Sequence, residues 1–233
     1  MKKGVDAPYA LFGMTFAAIL FCFQAIRTNN LIFWISTIVL SFSAVTYFHT
    51  TYFGKYKIIE AAVRRLHIKT DNQILDLGTG HGIVLTEVAK YLKVPGKATG
   101  IDIWRSSDQS NNSSESATSN IHRLGYEKVA NVMTANMLAL PFPDNSFDII
   151  TASLSIHNLK SNTERAIALT EATRVLKPNG KLLIIDLKYA REYQETLLHS
   201  NQFTTVQSVK NGYNGWWGGP WMATTIITAQ KNK

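Results

Sequence analysis

Residues 74–82 constrain the fold of this chain more than any other segment, because they join an apolar stretch to three closely spaced glycines. The apolar stretch contains one acid, Asp76, and Gly78, Gly80 and Gly82 follow at alternate positions. Glycine permits sharp backbone turns and lets a ligand approach the main chain closely. A strand that leads into such a loop and then into a helix predicts the nucleotide-binding corner of a doubly wound α/β sheet.

The acid in this segment narrows the choice of ligand. The Gly-x-Gly-x-Gly spacing differs from the Gly-x-Gly-x-x-Gly of dinucleotide enzymes, and Asp76 stands two residues before the first glycine. A carboxylate at that position repels a diphosphate and attracts a cation. We therefore expect a nucleoside-like ligand that carries positive charge, and S-adenosylmethionine, with its ammonium and sulfonium groups, has this chemistry.

Hydrophobic periodicity and turn residues predict alternating strands and helices from residue 57 onwards. The predicted strands are 74–77, 98–103, 129–134, 147–152, 181–187, 204–209 and 223–229. The predicted helices are 57–66, 83–92, 114–124, 162–176 and 192–200. This alternation predicts a mainly parallel sheet with helices on both faces. The loop between the last two strands has no helical pattern, which suits an antiparallel pair at the sheet edge.

Two apolar runs, residues 9–26 and 31–48, come before this part of the chain and are separated by the polar residues 27–30. Each run is close to the lower limit of about 17 residues for a membrane-crossing helix. We therefore expect a membrane-associated helical hairpin over residues 1–52 and a Rossmann-like domain over residues 53–233. A cleaved signal peptide is one alternative, and a hairpin that lies in one leaflet or packs on the domain is another.

The formal net charge of +8 predicts attraction to an anionic partner. The apolar runs are flanked by Lys2 and Lys3 on one side and by a basic cluster on the other, with only Arg27 between them. The basic cluster consists of Lys55, Lys57, Arg64, Arg65 and Lys69. The positive-inside rule places both ends of the hairpin, and the domain that follows, in the cytosol. Clustering beside the hairpin favours a lipid surface over nucleic acid, although a solvated helix face is the alternative.

Polar residues follow several predicted strands at the point where each strand ends. Asp102 and Ile103 end the second strand, and an acid there can accept hydrogen bonds from both hydroxyls of a ribose. Asn136 and Met137 follow the third strand, where an amide can contact an exocyclic amine and a thioether can lie on a purine. Ligands of open α/β sheets bind beyond these carboxyl ends, so we expect the residues to share one site.

Four segments in order resemble the motifs of class I S-adenosylmethionine-dependent methyltransferases of the methyltransferase-11 type. They are residues 74–82, Asp102, residues 140–148 and residues 174–180. The resemblance covers residues 57–230. It implies S-adenosylmethionine as the cofactor and a seven-stranded sheet of order 3-2-1-4-5-7-6 with the last strand antiparallel.

The same resemblance implies roles for individual residues. Gly78 and Gly80 are expected to pack on the methionine part of the cofactor, Asp102 to hold the ribose and residues 136–137 to contact adenine. The family often has an acid where this chain has Asn136. The expected cofactor-binding residues are Asp76, Gly78, Thr79, Gly80, Gly82, Asp102, Ile103, Asn136, Met137 and Ser153.

Three residues beyond the fourth and fifth strands are candidates for catalysis. A general base is needed only if the acceptor is protonated, and His157 is the first candidate because histidine is the commonest general base. Its alternative role is to orient a loop. Asp186 and Tyr189 are further candidates by position, although Asp186 can instead cap the following helix. No metal site is expected, and Cys22 is the only cysteine, which excludes a disulfide within the chain.

The segment 212–221 contains three tryptophans among four glycines and a proline. It can form a wall for the acceptor, dip into a membrane interface or cover the edge of the sheet. We expect it to select the acceptor together with the loops at 104–119, 155–160 and 187–193.

The sequence as a whole favours methyl transfer to a small or lipid-like acceptor at a membrane surface. Methylation of RNA or protein is an alternative. A nicotinamide-dependent oxidoreductase and a non-catalytic, membrane-anchored binding module are alternatives from other classes.

Overall fold

The computed structural model describes residues 6–105 and 112–233, which divide into two compact units. The larger unit contains residues 59–210 and 225–233 and carries the sheet. The smaller unit contains the described residues from Asp6 to Ile58 together with Asn211–Thr224. We call Asn211–Thr224 the tryptophan loop. It groups with the apolar helices although more than a hundred and fifty residues separate the two in the sequence.

The larger unit contains a seven-stranded sheet of order β3-β2-β1-β4-β5-β7-β6. The strands are β1 (Gln73–Leu77), β2 (Lys97–Asp102), β3 (Ala130–Thr134), β4 (Phe147–Ser153), β5 (Leu176–Asp186), β6 (Phe203–Lys210) and β7 (Thr225–Lys231). β7 runs antiparallel to both of its neighbours, and the pairs among β1–β5 are parallel. This arrangement confirms the doubly wound α/β fold and the predicted strand order.

The central strands are apolar because both of their faces are covered. Leu75, Leu77, Ile150 and Leu182 are almost completely buried in one core. The helices are α1 (Pro8–Thr28), α2 (Leu31–His49), α3 (Lys55–Arg65), α4 (Ile83–Ala89), α5 (Ser114–Leu124), α6 (Asn162–Val175) and α7 (Ala190–His199). These bounds agree with the predicted elements to within a few residues, except at β5.

β5 begins five residues earlier than the sequence pattern predicts, at Leu176 instead of residue 181. Leu176 pairs with Phe147 and Lys181 pairs with Ile149, so the ladder is irregular between these two points. Asn179 has a positive φ of 61°, as its turn-forming neighbours suggest. A turn-like segment is therefore held within the start of a strand by its pairing with β4, and local propensity cannot reveal such a tertiary contact.

The smaller unit confirms the two hydrophobic helices that precede the sheet. Asn29 adopts a left-handed conformation, and the Asn30 side chain accepts a hydrogen bond from the Ile32 N–H, which begins α2. α2 continues through a π-helical turn, Thr50–Gly54, into α3. By length and composition alone, α1 and the continuous helix Leu31–Arg65 are apolar enough to cross a membrane.

The basic cluster is smaller than the sequence suggests. Lys55 is only 7% exposed and forms an ion pair with Asp6 at 2.7 Å, so its charge does not face solvent. Arg64 bonds Glu60 across one helical turn. Lys57, Arg65 and the following Lys69 remain exposed. The prediction that Lys55 belongs to an exposed basic surface was wrong, because the sequence pattern does not show that Asp6 reaches it.

Candidate active site

The glycine loop after β1 is a tight left-handed turn. Gly78, Gly80 and Gly82 have φ values of 63°, 50° and 80°, a region that side chains with a Cβ rarely adopt. The Thr79 N–H donates to the Ile101 carbonyl of the neighbouring strand β2 at 2.9 Å. α4 begins directly after Gly82. The loop is thus fixed at the carboxyl end of the sheet, where the chain after β2 and the chain after β4 flank it.

Asp76, near the end of β1, stabilises this loop from its buried side. Its side chain is 2% exposed, and its two carboxylate oxygens accept hydrogen bonds from the hydroxyls of Thr79 and Thr151, each at 2.7 Å. Burial raises the pKa of Asp76 to about 6, and repulsion from Asp102 contributes in the same direction. Asp76 is therefore a buried acid whose ionised form a nearby cation would stabilise.

Asp102 is oriented beside the same loop. Its Oδ2 accepts from the Gly80 N–H at 2.9 Å, and its Oδ1 accepts from the Trp104 N–H at 2.7 Å. The amide nitrogen of Asn112 lies 3.3 Å from Oδ1. A carboxylate has about four lone-pair positions, so Asp102 retains acceptor capacity for a ligand. Two acids next to a glycine loop fit a cation with a ribose diol better than a diphosphate.

Ser155 connects the chain after β4 to the glycine loop. Its hydroxyl donates to the Leu77 carbonyl at 2.8 Å. A Cβ added to Gly78 would lie 2.3 Å from the Ser155 Cβ and 3.3 Å from the Met137 methyl carbon. Residues from three different strand ends therefore meet at Gly78, and only glycine fits there.

Replacing Gly78 with alanine is expected to lower the free energy of unfolding by about 2–5 kcal/mol, because a left-handed conformation costs about 1–2 kcal/mol and overpacking about 1–3 kcal/mol. The measurement is urea denaturation followed by circular dichroism. Gly125→Ala is the matched control, since Gly125 has a similar φ of 75° and nothing within 4 Å of an added Cβ. Equal losses in the two variants would show that crowding at Ser155 contributes nothing.

A histidine–aspartate pair lies at the ends of β4 and β5. Asp186 is 1% exposed, and its Oδ1 lies 2.5 Å from Nδ1 of His157 and 2.7 Å from the Leu187 N–H. Its Oδ2 accepts from the His157 N–H at 3.2 Å and from the Tyr193 hydroxyl at 3.3 Å. A carboxylate partner makes Nδ1 the protonated nitrogen, so Nε2 is the nitrogen that can accept a proton. The pair has the geometry of an oriented general base.

Tyr193 is the residue of this cluster that sequence reasoning missed. It is fully buried, and burial raises the pKa of its phenol far above the usual range, with the Asp186 carboxylate adding to the effect. The phenol therefore stays protonated and donates to Asp186. The helical pattern of α7 indicates an inward-facing position for Tyr193 but does not indicate which carboxylate it meets.

Tyr189 stands at the start of α7 with 43% of its surface exposed. Its ring lies 3.7 Å from the guanidinium of Arg165, which forms two 2.8 Å hydrogen bonds to Glu192 and one of 3.1 Å to the Leu159 carbonyl. Arg165 thus joins the loop after β4 to α7. The alternative of an Asp186 cap on α7 does not hold, because Asp186 accepts from Leu187, ahead of the helix.

The remaining predicted residues lie at the same edge of the sheet. Asn136 is exposed, and its Oδ1 accepts from the Leu138 N–H at 3.0 Å. Ile103 is 38% exposed, and Ser153 is half-buried at the last position of β4. Part of the predicted 104–119 loop, residues 106–111, lies outside the described residues. Within the part of the chain that is described, no three His, Cys, Asp or Glu side chains converge as metal ligands.

Known proteins match this chain over the same region. The model of a family described as "Methyltransferase domain" matches residues 75–184. The ubiquinone/menaquinone biosynthesis C-methyltransferase UbiE of Escherichia fergusonii is 32% identical over 127 residues, which are 51% of this chain and 44% of that protein. The demethylmenaquinone methyltransferase of Lactiplantibacillus plantarum is 31% identical over 130 residues, 52% of this chain and 48% of that protein. The chain therefore matches less than half the length of these curated relatives.

A solved structure supports the fold independently. The structure of a SAM-dependent methyltransferase from Aquifex aeolicus has a TM-score of 0.57 and 24% identity, and covers 74% of this chain and 89% of that one. The region matched by the family model, residues 75–184, contains the glycine loop, Asp102 and His157, and it ends two residues before Asp186. Residues 75–184 thus match a methyltransferase domain, and the comparisons together support an S-adenosylmethionine-dependent methyltransferase whose cofactor is S-adenosylmethionine.

Proposed function

We propose that this protein transfers a methyl group from S-adenosylmethionine to a small, lipid-like acceptor of the quinol class at a membrane surface. The observation that carries the proposal is the buried Asp186, which orients His157 at the carboxyl end of the sheet. Such a pair is suited to remove a proton from an acceptor hydroxyl, and a general base of this kind contributes about 100- to 10,000-fold to a rate.

The residues around the glycine loop fit the cofactor. We propose that Asp102 accepts the ribose hydroxyls, that Asp76 attracts the ammonium group, and that Gly78 and Gly80 leave room for the methionine part. Asn136 and Met137 would contact adenine, since Met137 already lies against Gly78. When bound, the cofactor supplies an electrophilic methyl group on a sulfur that is already a good leaving group. The protein must therefore mainly position the acceptor and take its proton.

The acceptor class follows from the relatives and from general chemistry. One curated relative is named as a C-methyltransferase of ubiquinone/menaquinone biosynthesis, and the other as a demethylmenaquinone methyltransferase. A quinol ring carbon becomes more nucleophilic when a ring hydroxyl loses its proton. We propose that His157 takes this proton through Nε2. The half-exposed ring of Tyr189, held by Arg165, would act as a wall for the acceptor ring rather than as a base.

The membrane part of the proposal rests on the smaller unit. Its two helices expose large apolar side chains, among them Phe12, Ile19, Phe23 and Ile38. Lys57, exposed on α3, fits anionic headgroups at the cytosolic side even though Lys55 is neutralised by Asp6. We propose a membrane location with the methyltransferase domain facing the cytosol.

The test is a labelled-methyl transfer assay with the full chain in lipid vesicles. The acceptors offered are a naphthoquinol with an isoprenoid tail, total RNA and a protein extract. We expect label in the quinol fraction. Label only in RNA or protein would replace the proposed acceptor class. Failure of the protein to bind S-adenosylhomocysteine in isothermal titration would favour a non-catalytic module, and binding of NAD in its place would favour an oxidoreductase.

Cofactor affinity is expected to fall as the pH drops below about 6, the pKa to which burial raises Asp76. The protonated acid is neutral and attracts the ammonium group less. The stability of the free protein depends on pH in the opposite direction. The raised pKa of Asp76 favours folding at low pH, and this contribution to the free energy of unfolding is lost as the pH rises through about 6. Isothermal titration across this range measures the affinity. Asp76→Asn should bind weakly at every pH, and an unchanged pH profile in this variant would assign the titration to another group.

A further inference from the structure

The tryptophan loop packs along the last turns of α2. Trp217 is 9% exposed, its ring lies 5.9 Å from the ring of Tyr47, and its Nε1 donates to the Thr224 hydroxyl at 2.9 Å. The Trp216 ring lies 6.3 Å from that of Phe42. These contacts involve only the second half of α2, so the loop is fixed at one end of the helical hairpin.

Polar contacts also fix the tryptophan loop to the end of α2 and the π-helical turn that follows it. His49 Nε2 and Asn214 Oδ1 are 3.0 Å apart, and the Thr50 hydroxyl donates to the Trp216 carbonyl at 2.8 Å. A Cβ added to Gly54 would lie 2.0 Å from the Asn214 carbonyl oxygen, so the two backbones are in direct contact. The π-helical turn Thr50–Gly54 is where the loop is attached, which makes its position in the unit well defined.

The tip of the loop presents apolar surface to the outside. Trp221 is 67% exposed, Met222 is 40% exposed and Tyr213 is 44% exposed. A Cβ added to Gly219, whose φ is 153°, would lie 2.4 Å from the Trp221 ring. The indole therefore lies against the Gly219 backbone while most of its surface stays open. A held and exposed indole indicates a contact surface rather than a packed cover.

Residue types change along the hairpin in the way a bilayer requires. α1 has 21 residues and α2 has 19, which at about 1.5 Å per residue match a hydrocarbon core of about 30 Å. The large hydrophobic side chains exposed along their middle are aliphatic or phenylalanine, and the polar residues exposed there are small, Thr15 and Ser41. Most aromatic residues with a polar atom lie at the end where α2 becomes α3, namely Tyr9, Tyr47, Tyr52, Tyr213, Trp216, Trp217 and Trp221. Trp34 lies at the other end, in the first turn of α2. Tryptophan and tyrosine prefer the membrane–water interface.

We infer that the tryptophan loop is an interfacial anchor that places Trp221 and Met222 at the boundary between headgroups and acyl chains of an anionic bilayer. The inference rests on the proposed membrane association of the hairpin and extends it to the loop that follows β6. Charge supports an anionic bilayer as the partner of this loop, because the positively charged Lys57 is exposed on α3 two residues after the buried Lys55.

Depth-dependent fluorescence quenching tests the inference. Cys22→Ser removes the chain's only cysteine, and Met222→Cys or Ile19→Cys then accepts an environment-sensitive fluorophore. The full chain is reconstituted in vesicles of phosphatidylcholine and phosphatidylglycerol that carry a spin label either on the headgroup or deep in the acyl chain. We expect the headgroup label to quench position 222 more strongly and the deep label to quench position 19 more strongly. Trp221→Ser should reduce the quenching at position 222 and leave position 19 unchanged.

The outcomes separate the anchor from the hairpin. Quenching at position 19 without quenching at position 222 would overturn the interfacial anchor and leave the membrane hairpin in place. Loss of quenching at both positions would overturn the membrane location, and with it the anchor. Circular dichroism of each labelled variant checks that the helices remain folded.

Discussion

Alanine in place of His157 is expected to lower kcat for methyl transfer by about 100- to 10,000-fold, the range that a positioned general base contributes. The affinity for S-adenosylmethionine is expected to stay within about twofold of the wild type, because His157 belongs to the pair at the ends of β4 and β5 and not to the glycine loop. Single-turnover kinetics with the quinol acceptor and isothermal titration with S-adenosylhomocysteine measure the two quantities. Unchanged turnover would show that His157 only orients its loop.

Variants of Asp186 and Tyr193, the other members of the His157 cluster, test the same role of His157. Each carboxylate oxygen of Asp186 accepts hydrogen bonds from two donors. Asparagine has an NH2 group in place of one of these oxygens, and because this group cannot accept, the two donors that face it lose their acceptor. Asp186→Asn is expected to lower kcat nearly as much as His157→Ala. Tyr193→Phe removes one hydrogen bond, worth about 1 kcal/mol, and leaves the His157–Asp186 contact intact. It should change kcat only a few-fold, and a loss as large as that of Asp186→Asn would implicate the whole network.

Replacing Asp102 with alanine is expected to weaken cofactor binding by at least about 100-fold, because a hydrogen bond to a charged group contributes about 1.5–3 kcal/mol and a ribose offers two hydroxyls. The change also removes the acceptor of the Gly80 and Trp104 amides, so the loop itself loses support. Isothermal titration with S-adenosylhomocysteine measures the affinity. Methyl transfer at saturating cofactor should recover in part if Asp102 acts only in binding.

A control of equal charge change is available in Asp144→Ala. Asp144 is 68% exposed and pairs with Arg174 away from the glycine loop. Its loss should leave cofactor affinity unchanged and alter stability little, as is usual for exposed ion pairs. Equal losses of affinity in both variants would mean that net charge, and not the contact at the ribose, explains the effect of Asp102→Ala.

Local patterns in the sequence predicted most of the larger unit. Strands and helices follow from apolar periodicity, and the strand order was implied by the resemblance that the four motifs carry. Asp102 and Ile103 could be placed at the site because they end a predicted strand, and parallel strands bring their carboxyl ends to one edge. His157 and Asp186 could be named as candidates on the same ground.

The partners of these residues depend on packing between distant segments. Thr151 meets Asp76 because β1 and β4 pair in a register that sets these two residues side by side. Asp186 meets His157 and Tyr193 through the arrangement of β5, the chain after β4 and α7. Register and helix docking are set by the whole core, so no short-range pattern encodes them.

The same contrast between local patterns and distant contacts applies to the rest of the chain. A few neighbouring residues are enough to predict each of the two apolar helices, the glycine loop that follows β1 and the acids beside that loop. The ion pair between Asp6 and Lys55 cannot be read from such segments, nor can the grouping of the tryptophan loop with the helical hairpin rather than with the sheet unit. The physical reason is that such contacts join residues far apart in the chain, and they form only where burial of the whole unit outweighs the entropy of bringing them together.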